Sequence, residues 1–138
     1  MSNAIYVSIN KDATNKIVNK IKNHEFRNYI PKKDFDTLYV YVTAPISKLL
    51  YIINIERIIT YPETIQEEGD GNNLFNEGNK SKYAYKIGAV YKLNHEYTLS
   101  ELKENYEFTP PQSYAYADRY KSLSKKIEED KKELVWER

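Results

Sequence analysis

The stretch "KIKNHEFRNYIPKK", residues 20 to 33, decides how the rest of this 138-residue chain is read. As a strand following a helix and closed by Pro31, it puts Glu25, Arg27 and Tyr29 on one side and Phe26 on the other, because strand side chains alternate. Lys22 stands just before them. Two readings of Lys22, Glu25 and Arg27 stand side by side. One is a solvated ion pair worth roughly 0 to 1 kcal/mol. The other is a ligand cleft. There the Arg27 fork meets a phosphate, a carboxylate or a base edge, Glu25 accepts from an exocyclic amine, and Lys22 supplies charge. Glu25 also has the simpler option of orienting Arg27.

Upstream, "AIYVSI" at 4 to 9 alternates as a strand, and Asn10 is placed to cap a helix over about 11 to 22, with Ala13, Ile17 and Ile21 as its apolar stripe. Downstream, "TLYVYVT" at 37 to 43 is a period-two strand with Leu38, Val40 and Val42 inward. Tyr39 and Tyr41 lie opposite, where packing under a helix is expected, and Pro45 ends the strand. Residues 49 to 60 make a longer strand. The acidic segment 62 to 80 holds three of the four glycines and reads as a short helix followed by a loop. Residues 83 to 93 resume alternation.

Thr98 and Glu101 form a capping box, with Tyr97 and Leu102 placed as a hydrophobic staple, so a helix starts there. "FTPPQSYAYA" at 108 to 117 is held extended by its prolines. A charged helix is predicted from Asp118 to the end, with Tyr120, Leu123, Ile127 and Leu134 on one face. No βαβα alternation, repeat or Gly-rich phosphate loop is present. The pattern predicts an α+β fold: a small, mostly antiparallel barrel over residues 1 to 117 with flanking helices, and a C-terminal helix over 118 to 138 that packs on it or self-associates.

Composition narrows the function. Zero cysteines and two histidines leave no thiolate site and few imidazole ligands, so neither metal nor cofactor is expected. The segment "GDGNNLFNEG" lacks calcium-loop spacing. No apolar run approaches a membrane span, and no signal-peptide core is visible, so a cytoplasmic location and no membrane partner are the expectation. A formal charge of +1 argues against gripping long duplexes through phosphates. The charge is uneven: residues 1 to 60 hold nine Lys and Arg against five Asp and Glu, and the remainder twelve against fifteen. Tyrosine is abundant, 14 residues against four Phe, and suits both half-buried strands and base stacking.

These residues also carry a resemblance. "KIKNHEFRNYIPKK" resembles the signature of ASCH domains in the PUA-like superfamily, G-x-K-x-x-E-x-R, with Lys22, Glu25 and Arg27 matching and Lys20 where glycine is usual. "LYVYVTAPISKLLYIINIERI", "SKYAYKIGAVYKL" and the P-P-Q-S-[FY] stretch resemble later strands of the same family, over about residues 4 to 117. The resemblance implies a barrel that binds RNA or acts on nucleotides in a cleft beside the first helix. One branch deacylates N4-acetylcytidine with a lysine, a threonine and a glutamate. Here Glu25 stands at the threonine position, and a carboxylate cannot serve as that hydroxyl nucleophile.

The reading carried forward is a module binding a nucleotide or short single-stranded RNA, as a monomer or weak homodimer. Its candidate site comprises Lys22, Glu25, Arg27, Gln112, Ser113 and Tyr114. The alternatives are a small amidohydrolase using Lys22 and Glu25 on an acylated nucleoside, and a protein-interaction domain. Stiffened by two prolines, the Gln112–Tyr114 segment suits a barrel-closing strand as well as a ligand-facing wall.

Overall fold

The computed structural model describes residues 3 to 138; the opening Met1 and Ser2, which the sequence reading gave no role, lie outside them. Seven strands form one sheet: β1 (Ala4–Ile9), β2 (His24–Arg27), β3 (Thr37–Val42), β4 (Lys48–Thr60), β5 (Tyr83–Thr98), β6 (Ala115–Tyr116) and β7 (Lys132–Glu137). Four α-helices accompany them: α1 (Lys11–Val18), α2 (Asn72–Asn76), α3 (Leu99–Tyr106) and α4 (Lys121–Glu129). The sheet order is β2-β5-β4-β3-β1-β6, with β7 also on β5. Among the described residues only β1 and β3 pair parallel, and the other ladders are antiparallel. The α+β architecture and the mostly antiparallel sheet agree with expectation.

The sheet curls into a half-barrel whose ends meet through side chains. Arg27 on β2 donates from Nη2 to the Ser8 carbonyl on β1 at 3.2 Å, and Ser8 Oγ donates to the Pro111 carbonyl at 2.7 Å. Inside the curl, Ile5, Val7, Leu38, Val40, Ile53, Tyr85, Ile87 and Val90 pack with Ile17 of α1. On the outer face, Tyr6, Tyr39, Tyr41, Leu49 and Phe108 pack beneath Leu102 of α3 and Leu123 and Ile127 of α4. Both faces of β3 are therefore covered, and Tyr39 and Tyr41 are packing residues.

Local signals held where the chain supplies its own partner. The Asn10 side chain accepts from the Ala13 amide at 2.8 Å, and Thr98 Oγ1 accepts from the Glu101 amide at 3.2 Å. Helix α1 is shorter than expected. It ends at Val18, because Lys20 turns to φ 62, and Ile21, predicted on its apolar stripe, is 55% exposed instead. A left-handed residue after a helix is usually glycine; here it is Lys20. In the acidic segment the order is reversed: the loop comes first and the short helix α2 follows, started by Gly71 at φ 85.

The C-terminal expectation needs correction. The predicted helix over 118 to 138 is a 3-10 turn at Ala117–Tyr120, then α4, then strand β7. The helix stops where Asp130 turns extended, its carboxylate accepting from the Tyr97 hydroxyl and from Lys126 Nζ. Residues 132 to 137 then pair along the edge of β5 left open beyond β2. Val135 and Trp136 pack toward the interior core, and Trp136 Nε1 donates to the Ile17 carbonyl at 2.8 Å, which also accepts from the Lys20 amide at the end of α1. Leu134, predicted to pack on a helical face, is 50% exposed on the strand.

Candidate nucleic-acid interface

Strand β2 is short, and its pairing of Glu25 with Tyr85 and Arg27 with Tyr83 aims both side chains at the concave side of the curl. They are not a surface pair. The side chains of Lys22, Glu25 and Arg27 are only 11%, 7% and 14% exposed. Glu25 sits between two cations, with Lys22 Nζ at 3.1 Å from Oε1 and Arg27 Nη2 at 2.8 Å from Oε2. Arg27 Nε also donates to Oε2 at 2.9 Å. Burial alone would lower the Arg27 guanidinium, but the Glu25 carboxylate and the hydrogen bonds to Glu25 and Tyr29 hold it above its ordinary value.

Arg27 spends most of its donors inside the protein: two contacts on Glu25, one on the Ser8 carbonyl and one from Nη1 to the Tyr29 hydroxyl at 3.1 Å. A guanidinium has five N–H groups in a rigid fork, so little of it remains for a ligand. The Tyr29 hydroxyl passes the connection on, donating to the Ser113 carbonyl at 2.9 Å. The Tyr29 ring stacks on Tyr114 at 5.2 Å with 25° between planes, and the Tyr85 hydroxyl fixes the Tyr29 carbonyl at 2.5 Å. The two groups of candidate residues are thus joined: Lys22, Glu25 and Arg27 below, Ser113 and Tyr114 above, Tyr29 between.

Above them lies a groove of about 410 Å³ lined by Pro110, Pro111, Gln112, Tyr114, Arg119 and Tyr120. That is within the usual range for small-molecule sites. Lys22, Glu25 and Arg27 are not among its lining. Gln112 and Ser113 are exposed, and Tyr114 is half-buried. Beside the groove, Tyr116 meets Tyr114 edge to face at 5.3 Å, and Lys33 Nζ lies 5.0 Å over the Tyr116 ring. The Tyr116 hydroxyl, accepting from the Lys33 backbone amide at 3.1 Å, is held below the usual tyrosine range. Lys33, Tyr116 and Arg119 were not singled out from the sequence; Tyr29 was placed only on the Glu25 and Arg27 side of its strand, and Tyr120 only on the apolar face of the predicted C-terminal helix. The i, i+2 spacing of Tyr114 and Tyr116 in an extended segment was the available signal, since it puts both rings on one face.

His24 is fully buried. Its Nδ1 faces Asn23 Oδ1 at 2.6 Å, while Nε2 has no hydrogen-bond partner. Burial pushes its pKa down to about 4, with nearby Glu67 opposing and Arg138, Lys86 and Lys22 adding to the shift. Among the described residues no group of three or more His, Asp or Glu side chains is placed to hold a metal ion.

No family model and no curated protein matches the chain. Solved structures do. The crystal structure of ASCH from Zymomonas mobilis superposes with a TM-score of 0.66 at 20% identity, over 94% of this chain and 96% of that one. A serine-to-alanine mutant of the same protein gives 0.68 over 94% and 97%, and a tyrosine-to-phenylalanine mutant 0.67 over 94% and 99%, each at 20% identity. The chain has an ASCH fold. The likeness takes in 94% of the chain, its curled sheet and flanking helices together. No helix of the described residues is long and apolar enough to cross a membrane.

Proposed function

We propose that this ASCH-fold protein binds a nucleotide or a short single-stranded RNA on the surface formed by Gln112, Ser113, Tyr114, Arg119 and Tyr120. The observation that carries the reading is the half-buried tyrosine wall beside cations: Tyr114 over Tyr29, Tyr120 with Arg119 5.7 Å from its ring, and Tyr116 with Lys33. Sequence-tolerant binding of single strands uses this combination, bases stacking on aromatic faces while Lys or Arg meets phosphate. Gln112 adds an amide that can donate and accept at a base edge. Lys22, Glu25 and Arg27 support the wall from beneath instead of touching the ligand.

The hydrolase alternative requires Lys22 as base or nucleophile. Its ammonium is instead paired with Glu25 and buried, an arrangement that favours the binding reading. A fluorescence-anisotropy titration of a labelled hexaribonucleotide at low salt tests the proposal. Tyr114→Ala is expected to weaken binding by about 1 to 3 kcal/mol, the usual value of one stacked base, and affinity should fall as salt rises. Equal affinity for wild type, Tyr114→Ala and Arg119→Ala, all folded, would remove this surface.

A further inference from the structure

One wall of the groove is built from chain that the sheet does not hold. Strand β6 pairs with β1 only through Tyr116 with Ile5 and Ala115 with Tyr6. Continued in that register, Ser113 would face Ser8, but Pro110 and Pro111 have no N–H to give a ladder. Among the described residues, no backbone–backbone hydrogen bond holds residues 109 to 113. Side chains hold them instead. Ser8 Oγ donates to the Pro111 carbonyl at 2.7 Å, the Tyr29 hydroxyl to the Ser113 carbonyl at 2.9 Å, and the Thr109 amide reaches the Tyr120 hydroxyl at 3.4 Å. We propose that Ser8 is a positioning residue for the groove: its hydroxyl, acting with that of Tyr29, pins residues 111 to 113 and so holds Gln112 and Tyr114 in place for the ligand. The consequence for binding rests on the reading above; the pinning itself does not.

Both pins trace back to one guanidinium. Arg27 donates from Nη2 to the Ser8 carbonyl at 3.2 Å and from Nη1 to the Tyr29 hydroxyl at 3.1 Å. Its fork is planar and rigid, so it sets the two pins relative to each other although they come from near opposite ends of the sheet. The pinned carbonyls flank Gln112, which stays exposed and lines the groove. Each pin keeps the other's acceptor close at hand, so the loss of one is partly covered by the other. The Ser8 hydroxyl is also separable from the rest of the residue. Ser8→Ala leaves the pairing with Tyr41 on β3 and the carbonyl bond to Arg27 intact, and removes only the contact with Pro111.

Amide relaxation measured by NMR on the free protein, beside anisotropy titrations of a labelled hexaribonucleotide, tests the role in wild type, Ser8→Ala, Ser8→Thr and the Ser8→Ala/Tyr29→Phe double variant. In the double variant the order parameters of Gln112 and Tyr114 should drop from the rigid range, about 0.85, to below about 0.6, with those of β3 unchanged. Ser8→Ala should give a smaller drop, and Ser8→Thr, which keeps a hydroxyl, should restore the wild-type values. RNA affinity should fall about two- to ten-fold in Ser8→Ala, and the loss in the double variant should exceed the product of the single losses. Unchanged order parameters in the double variant, or a Ser8→Thr protein as loose as Ser8→Ala, would overturn the pinning. A loosened segment that still binds RNA as tightly as wild type would overturn its service to the ligand. Absence of RNA binding by wild type would overturn the functional reading alone, and the order parameters would still decide the role of Ser8.

Discussion

Arg27 and Tyr29 are joined through one hydrogen bond, Nη1 to the phenol at 3.1 Å, and that phenol donates onward to the Ser113 carbonyl at 2.9 Å. The link ties a buried ion network on β2 to the segment that lines the groove, 84 residues later in the chain. Tyr29→Phe keeps the ring on Tyr114 and removes the link. Leaving a buried guanidinium N–H unpaired should cost about 1 to 3 kcal/mol in urea unfolding, and RNA affinity should drop several-fold as the wall loosens. Unchanged stability together with unchanged affinity would show that Tyr29 does not position Tyr114.

Glu25 is in contact with both Lys22 and Arg27. Glu25→Gln leaves two buried cations without their shared counter-charge, and breaking a buried pair in this way typically costs about 3 to 5 kcal/mol. Lys22→Met should cost less, since Glu25 retains Arg27. Chemical denaturation of the two variants checks the order. A Glu25→Gln protein as stable as wild type would mean that the network is solvated.

His24 gives stability a pH dependence with a defined sign. Unfolded, the imidazole takes its proton near pH 6.5; folded, only near pH 4. Between those values the unfolded chain binds more protons, so stability falls as pH is lowered through this window, by about 3 kcal/mol for this group. Above pH 6.5 its contribution is constant. Urea unfolding at pH 7.5, 5.5 and 4.5 should show the decline, and His24→Leu should flatten it. An equal slope in the variant would assign the dependence to carboxylates.

Lys20 holds a left-handed conformation at φ 62. Lys20→Gly removes a Cβ penalty of about 1 kcal/mol, partly offset by greater freedom in the unfolded chain and by loss of the Lys20 contact over Trp136 at 5.3 Å. A small rise in melting temperature is expected. A clear fall would show that the Trp136 contact outweighs the backbone strain.

The sequence by itself determined the elements whose partners are local. The alternation of residues 37 to 42 gave β3, Asn10 and Thr98 gave the starts of α1 and α3, and the order of strands gave a curled α+β sheet. It also brought forward Lys22, Glu25, Arg27, Ser113 and Tyr114, which the structure connects. What only the tertiary structure decided was burial and edge pairing. The alternation that shows Glu25 and Arg27 on one face does not say whether that face is wet; Ser8 on β1, which takes Arg27 out of solvent, is 19 residues away. Nor can "KELVWE" reveal its state alone, since its strand conformation depends on an open edge of β5 and its Trp136 on a carbonyl of α1, 119 residues distant. Local hydrogen bonds and side-chain period are written within a few residues, whereas desolvation and ladder pairing belong to whichever distant segment the fold brings alongside.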